Sequence, residues 1–244
     1  MLKKRYKQVF KNLFIQEAKI LQTLTENRTP NVVRLKEYRL DADWETDTET
    51  KAPFIATEYV NWPNCTDLFY KKPSNKKLVK AIGIELLNTI SRIHKLGYIH
   101  MDISPNNVLI NPEKHELILL DFGITRKKGE HITLLDPKKG LLLGTAGYIS
   151  PHHFGSDSKA EESYDLYAIS RLLLYLQGID KDIEEEDNPF VAMQETHNEL
   201  LCVLTTKEEI ENKKISKQQA EVLINGLKCN YKTAEQMLED WKKI

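Results

Sequence analysis

The chain has 244 residues, which is enough for one large domain or for two lobes that share a cleft. Hydrophobic residues make up 41% and charged residues 29%, a composition that is ordinary for a folded enzyme and excludes a disordered chain. With 35 Lys and Arg against 36 Asp and Glu, the formal net charge is −1, which excludes a surface built throughout for nucleic acid.

The first quarter of the chain is predicted to hold one helix and few strands. Its elements, in order, are a helix over 12–24, a turn over 27–31, a strand over 32–40, an acidic loop over 41–52 and a strand over 54–60. Glu17 falls inside the apolar stripe of the helix, so its carboxylate needs a cationic or hydrogen-bonding partner.

The remainder is predicted to be mainly helical. Residues 76–96 form a long amphipathic helix whose inward positions are Leu78, Ile82, Leu86, Ile90 and Ile93. Two short strands, a long ordered loop and a buried helix follow over 108–110, 117–120, 123–163 and 164–176, and further helices reach the C-terminus. This order indicates an α+β fold with a small strand-containing part and a larger helical part.

Cysteine spacing and hydropathy indicate the cellular compartment to expect for the chain. Cys65, Cys202 and Cys229 lie far apart and form no CxxC pair, which argues against a disulfide framework or a structural zinc site. The apolar runs are far too short for a membrane span, and no apolar segment follows the basic N-terminus as it would in a signal peptide. We therefore expect a cytoplasmic protein in a reducing environment.

The chemistry concentrates in two short motifs that border the predicted strands. The first is His100-Met101-Asp102-Ile103-Ser104-Pro105-Asn106-Asn107, and the second is Asp121-Phe122-Gly123. Carboxylate and amide oxygens are hard ligands that suit Mg²⁺ already carrying phosphate oxygens. An Asp left free of metal can orient an attacking hydroxyl. The pattern therefore favours phosphoryl transfer, which needs positioning and charge neutralisation.

These motifs, in this order and spacing, resemble those of the eukaryotic-type (Hanks-type) Ser/Thr protein kinase family. Gly144-Thr145-Ala146-Gly147-Tyr148-Ile149-Ser150-Pro151 is similar to the family's GTxxYxxP segment, and the resemblance runs from about residue 3 to residue 241. It implies a two-lobed kinase-like fold, with a minimal β-containing N-lobe over 1–60 and a larger helical C-lobe over 61–244. It also implies ATP and Mg²⁺ as cofactors, a protein substrate and no nucleic acid partner.

The resemblance implies a role for each motif residue. Asp102 would be the catalytic base, and Asn107 and Asp121 would hold Mg²⁺. Glu17 resembles the carboxylate of the family's helix C, with Lys3, or Lys4 as a close second, as the ATP-binding lysine that pairs with it. The remaining roles are Thr57 as gatekeeper, Glu58 and Val60 as the adenine-binding hinge, His100 as a support beneath Phe122, Asp165 as the anchor of the catalytic-loop backbone, and Thr145 as the Ser/Thr-type marker.

The sequence departs from the family pattern in four places. No Gly-rich loop precedes the first helix, and the chain begins roughly where the family's third strand would stand. Ser104 replaces the catalytic-loop lysine, as in RIO-type kinases, which keeps it a candidate catalytic residue. Met101 replaces the Arg that usually receives an activation-loop phosphate. His152 stands where the family's APE motif has Glu.

Three functions remain open at this point. The first is an active Ser/Thr protein kinase with a minimal N-lobe, which an upstream segment or a partner chain would complete. The second is a pseudokinase scaffold, which the missing lid and Ser104 favour and which the retention of Asp102, Asn107 and Asp121 opposes. The third is a small-molecule kinase of the aminoglycoside or choline type, against which the GTxxYxxP-like segment argues.

Overall fold

The computed structural model describes residues 2–40, 52–70, 74–132, 135–136, 141–153, 158–179, 189–206 and 215–244. Side chains are described throughout these ranges except at residues 2–9, 135–136, 141–142 and 189–190. The helices are α1 (Leu2–Glu26), α2 (Cys65–Phe69), α3 (Lys76–Lys95), α4 (Glu162–Leu176), α5 (Pro189–Thr205), α6 (Lys217–Leu227) and α7 (Ala234–Lys242). The strands are β1 (Leu35–Arg39), β2 (Phe54–Thr57), β3 (Tyr98–Ile99), β4 (Val108–Asn111), β5 (Glu116–Leu119), β6 (Arg126–Lys127), β7 (Leu135–Asp136) and β8 (Leu141–Leu142).

The first helix is longer than the sequence pattern predicted. The helix predicted over 12–24 spans residues 2–26 in the structure, so the third strand expected near residue 3 is wrong. Lys3 and Glu17 lie on one helix, fourteen residues and about 21 Å of axial rise apart. That separation exceeds the combined reach of the two side chains. The predicted Lys3–Glu17 ion pair is therefore excluded, and Lys4 fails for the same reason.

The described strands form four two-stranded sheets, which pair β1 with β2, β3 with β6, β4 with β5, and β7 with β8. The strand predicted over 54–60 ends at Thr57, and β1 pairs with β2 in antiparallel register. Val32 bridges to Leu119 of β5, which joins the first hairpin to the strand that precedes Asp121. The acidic loop predicted over 41–52 lies almost wholly outside the described residues. Within 123–163, the expected irregular loop contains the short strands β6, β7 and β8.

The helical part packs around α3 and α4, and both were predicted correctly. The side chain of Asn75 caps α3 by accepting the N–H of Leu78, and the five predicted inward residues are all buried. Fully burying such a side chain contributes about 1.5–3 kcal/mol. Trp241 of α7 is fully buried, and its indole N–H donates to the carbonyl of Lys80 at 3.1 Å. A side chain at Gly83 would overlap this indole, so close packing of α7 on α3 requires glycine there.

No helix in the described ranges combines the length and the hydropathy that crossing a bilayer requires.

Candidate active site

The loop that carries Asp102 is held by its backbone. It follows β3, and the two carboxylate oxygens of buried Asp165 accept the N–H groups of His100 and Met101, each at 2.9 Å. Met101 has φ +74°, in the left-handed region, where a non-glycine residue costs on the order of 1 kcal/mol. Two charge-assisted hydrogen bonds at this point offset that cost and fix the direction in which the chain leaves β3.

The carboxylate of Asp102 is oriented by three hydrogen bonds. Thr145 donates both its backbone N–H and its hydroxyl to Oδ1, at 2.9 and 2.7 Å. Asn107 donates its side-chain N–H to Oδ2 at 2.9 Å and to the Asp102 carbonyl at the same distance. The GTxxYxxP-like segment and the catalytic loop therefore meet at this carboxylate. Asp102 as a whole is half-buried, so part of the residue stays in contact with solvent.

The second motif lies directly beside the first. Phe122 is buried, and its ring packs edge-on against that of His100 with centroids 4.7 Å apart. The His100 ring also contacts the carbonyl of Leu120 at 3.0 Å, and the Leu120 N–H donates to the carbonyl of Asn107 at 2.9 Å. These contacts hold the backbone of Leu120, the residue before Asp121, against that of Asn107.

The oxygens at this point suit a hard cation. Asp121 is exposed, with φ +60°, and its Oδ1 accepts the N–H of Gly123 at 3.0 Å. Asn107 uses its side-chain nitrogen to bind Asp102, and its side-chain oxygen accepts no hydrogen bond from the part of the chain that the structure describes. No group of three His, Cys, Asp or Glu side chains in the described ranges could hold a metal by itself. One carboxylate and one amide oxygen nevertheless fit Mg²⁺ that brings phosphate and water ligands with it.

Glu17 faces this site from α1 but lacks the predicted lysine. A side chain built on Gly123 would lie 3.7 Å from Oε2 of Glu17 and 3.1 Å from Oδ1 of Asp121, so the two carboxylates flank one glycine. Burial, and then the nearby charge of Asp121, raise the pKa of Glu17. Among the described side chains, no Lys or Arg forms an ion pair with Glu17. The two carboxylates therefore form a locally negative site that would favour a bound cation.

The predicted hinge residues end β2. Thr57 is exposed, and the backbone of Glu58 donates to the carbonyl of Arg34 at 2.8 Å. The Glu58 side chain accepts the Arg34 N–H at 3.0 Å, so this carboxylate supports the hairpin. Val60 is half-buried. The roles of Thr57 as gatekeeper and of Glu58 and Val60 in adenine binding stay predictions.

Ser104 does not face the open side of the loop. It is 0% exposed, and its hydroxyl has no hydrogen-bond partner within the described part of the chain. A group that contacts a transferred phosphate must be reachable from the cleft. This burial argues against the catalytic role predicted for Ser104, because the path of the loop turns the side chain inward.

A buried charge cluster beneath the catalytic loop was missed by the sequence reasoning. His94, in the last turn of α3, contacts Asp165 at 2.8 Å through Nε2 and Glu162 at 3.0 Å through Nδ1. Glu162 also accepts a hydrogen bond from Lys128 at 2.7 Å. Glu162 precedes Asp165 by three residues on a helix, and this spacing is the one sequence signal that two carboxylates share a face.

A separate cavity of about 520 Å³ lies beside α1 and contains none of the predicted site residues. It is bordered by polar side chains of α1, by residues of the β3–β6 pair and by one residue after β6, namely Asn12, Gln16, Lys19, Tyr98, Lys127 and Glu130.

Comparison with known proteins extends the resemblance over the whole chain. The family model described as "Protein kinase domain" matches residues 1–238. Serine/threonine-protein kinase D of Synechocystis is 27% identical over 170 residues, which cover 69% of this chain and 31% of that protein. PknL of Mycobacterium tuberculosis is 29% identical over 147 residues, which cover 59% of this chain and 35% of that protein. The chain thus spans about a third of the length of these relatives.

A solved structure shows the same fold at lower sequence identity. The Cydia pomonella granulovirus kinase PK-1 superposes with a TM-score of 0.64 at 17% identity, covering 94% of this chain and 80% of that one. The predicted α+β kinase-like fold is therefore confirmed. Because the family model covers nearly the full length, the chain belongs to the protein kinase domain family.

Proposed function

We propose that this chain is an ATP-dependent serine/threonine protein kinase that transfers the γ-phosphoryl group to a protein hydroxyl. The family and its named Ser/Thr kinase relatives support this reaction class. The observation that carries the proposal is the carboxylate of Asp102, a half-buried residue, which Thr145 and Asn107 orient through three hydrogen bonds.

Each residue then has a defined task. Asp102 would accept a hydrogen bond from the substrate hydroxyl, align its oxygen with the phosphorus atom and take up the proton as the bond to phosphorus forms. Asn107 and Asp121 would hold Mg²⁺, which neutralises phosphate charge when bound. Residues 58–60 would bind adenine through the backbone. We retain the division into an N-lobe over 1–60 and a C-lobe over 61–244 as part of the proposal.

The direct test is transfer of labelled phosphate from ATP to a generic protein substrate or to the chain itself. We expect Mg²⁺-dependent transfer to serine or threonine in the wild type and almost none in Asp102→Asn. A second reaction mixture supplies aminoglycoside and choline in place of protein. Transfer only to a small-molecule acceptor would contradict the proposal, as would equal transfer by the variant.

A pseudokinase scaffold is the second candidate, and two observations favour it. Glu17 has no cationic partner among the described side chains, and Ser104 is buried where the family has a lysine. A scaffold would bind a partner chain without transferring phosphate. Absence of transfer with ATP, Mg²⁺ and a range of protein substrates would favour this reading, particularly if ATP also failed to bind at millimolar concentration.

We further propose that an upstream segment or a partner chain completes the N-lobe. The helical course of residues 2–26 supplies no strand lysine, and no described side chain places a cation beside Glu17 and Asp121. Charge-assisted phosphate contacts are worth about 1.5–3 kcal/mol each, and a net loss of about 1.4 kcal/mol weakens binding tenfold. We therefore expect the chain alone to bind Mg-ATP with a dissociation constant near or above about 0.1 mM by calorimetry. Sub-micromolar affinity would contradict this expectation. A cytosolic, reducing location likewise stays a prediction.

A further inference from the structure

Glu162 is a buried carboxylate that the kinase motifs do not use. It lies in the first turn of α4 and is 7% exposed. Its oxygens accept hydrogen bonds from three other segments: Nδ1 of His94 in α3 at 3.0 Å, Nζ of Lys128 after β6 at 2.7 Å, and the N–H of Ala234 at the start of α7 at 3.2 Å. One carboxylate thus joins α4 to three segments that are distant in sequence.

His94 connects Glu162 to Asp165 and must carry a proton on both ring nitrogens. Each nitrogen faces a carboxylate oxygen, and an ionised carboxylate only accepts hydrogen bonds, so imidazolium is the form that satisfies both contacts. Burial lowers the pKa of His94, but the hydrogen bonds to Asp165 and Glu162 outweigh it and raise the pKa to about 9. With Lys128, the cluster holds two positive and two negative charges and is neutral overall.

Asp165 links this cluster to the catalytic loop through hydrogen bonds. Its Oδ2 accepts from both His94 and the backbone N–H of His100, and its Oδ1 accepts the N–H of Met101. The next residue in the chain is Asp102. The position of Asp165 therefore sets the position of the backbone just before the candidate base Asp102. His94 in turn holds the carboxylate of Asp165 through its ring nitrogen.

We propose that Glu162 is a positioning residue for phosphoryl transfer, which acts on the catalytic loop through His94 and Asp165. This proposal rests on the proposed kinase function. Lys128 lies seven residues after Asp121, the candidate metal ligand. Its ion pair with Glu162 therefore joins the segment that follows Asp121 to the same cluster.

Replacing Glu162 by Gln should disturb the cluster without changing its size. Oε2 receives two donors and Oε1 receives one, whereas a Gln side chain offers one oxygen and one N–H₂ group. At least one donor would face another donor, and the imidazolium of His94 would lose one of its two counter-charges. Asp165 would then be held less firmly, and the backbone amides that it binds would open more often.

The test compares hydrogen exchange of the His100 and Met101 amides, resolved by NMR, in the wild type and in Glu162→Gln. Glu161→Gln is the matched control, because Glu161 is the exposed preceding residue and its side chain forms no cap hydrogen bond. We expect these two amides to exchange about tenfold faster in Glu162→Gln and within about twofold of wild type in the control. We also expect kcat to fall about tenfold while KM for ATP changes less than about threefold, since no nucleotide contact is removed.

The exchange measurement separates this proposal from the kinase function, because it needs no phosphotransfer. Faster exchange in Glu162→Gln together with an inactive wild type would show that Glu162 holds the loop, and would refute the proposed kinase function rather than this link. Wild-type exchange of both amides in Glu162→Gln would overturn the positioning role. If that variant does not fold, Lys128→Met replaces it, because this side chain is half exposed. Here about threefold faster exchange is expected, and unchanged exchange would overturn the proposal.

Discussion

Replacement of Asp102 by Asn should separate catalysis from stability. An Asn side chain can keep its oxygen toward the two Thr145 donors, at the positions now 2.9 and 2.7 Å away. Its N–H₂ group would then face the N–H₂ group of Asn107, so one hydrogen bond is lost. In a half-exposed site this costs about 1 kcal/mol of the free energy of unfolding. Loss of the base should instead reduce turnover about 10²–10⁴-fold, or about 2.7–5.5 kcal/mol of activation free energy.

Two measurements on the same samples test this separation. Initial rates of phosphate transfer at saturating Mg-ATP give the catalytic loss, and urea denaturation gives the change in stability. Thr145→Val is the control, because it removes the hydroxyl donor but keeps the backbone N–H; its turnover should fall only about tenfold. Turnover within about threefold of wild type in Asp102→Asn would refute the assignment of the base. A loss of stability as large as the catalytic loss would show that the residue is mainly structural.

Three further outcomes follow from the site and the core. Asp121→Asn should raise KM for Mg-ATP and lower kcat at least about tenfold; kinetics that do not depend on Mg²⁺ in the wild type would contradict this. Phosphatase treatment should leave activity unchanged, because Met101 is buried and cannot pair with phosphate; a large loss that rephosphorylation restores would contradict this. Burial and the nearby charge of another histidine lower the pKa of His153 to about 3, and burial and neighbouring positive charges lower that of His197 to about 4. Below about pH 6.5 these two histidines therefore bind more protons in the unfolded chain than in the folded one. Each should lower the free energy of unfolding by about 2 kcal/mol at pH 5. The raised pKa of His94 acts on stability in the opposite direction. Its stabilising contribution to the free energy of unfolding is complete below about pH 6.5 and is lost as the pH rises through about 9. Urea denaturation should thus show maximal stability near pH 6.5, and equal stability at pH 5 would contradict the reasoning.

Sequence reasoning succeeded where the signal was local. The amphipathic stripe of α3 fixes both the helix and its buried face, and the caps at Asn75 and Leu96 lie next to the stripe that they end. The contact between Asp102 and Asn107 is local in the same way, because the two residues are five positions apart in one continuous motif.

The same local reasoning would have corrected the error at Lys3. Residues 2–26 contain no Gly or Pro and are rich in Leu, Lys and Gln, which favour a helix from the first turn. The strand was inferred instead from the family's spacing relative to Glu17. The family's spacing placed a strand near residue 3, whereas the local composition favours the helix that the structure shows there.

Distant contacts could not be predicted in this way. Ser104 is buried in a loop whose first residues are held by Asp165, which lies 61 residues after Ser104 in the sequence. Glu162 meets His94 across 68 residues and Ala234 across 72. Nothing in the composition around Glu162 distinguishes it from exposed Glu161 beside it. Only packing of α3, α4 and α7 into one core assigns these neighbouring carboxylates to opposite environments.

The two sides of the candidate site are supported unequally, and the reason is electrostatic. On the catalytic-loop side, the charges are matched, because Asp165 and Glu162 face His94 and Lys128. The carboxylate of Asp165 also accepts hydrogen bonds from two backbone amides of the loop. On the proposed nucleotide side, Glu17 lies beside Asp121 with no described counter-ion, and burial, followed by the charge of Asp121, raises the pKa of Glu17. A cation that binds between these carboxylates would regain the energy that their repulsion now costs, whereas the catalytic-loop side gains nothing from one. The structure therefore gives the candidate base Asp102 a preformed setting, and we expect the strength of the proposed nucleotide site to depend on what supplies the positive charge.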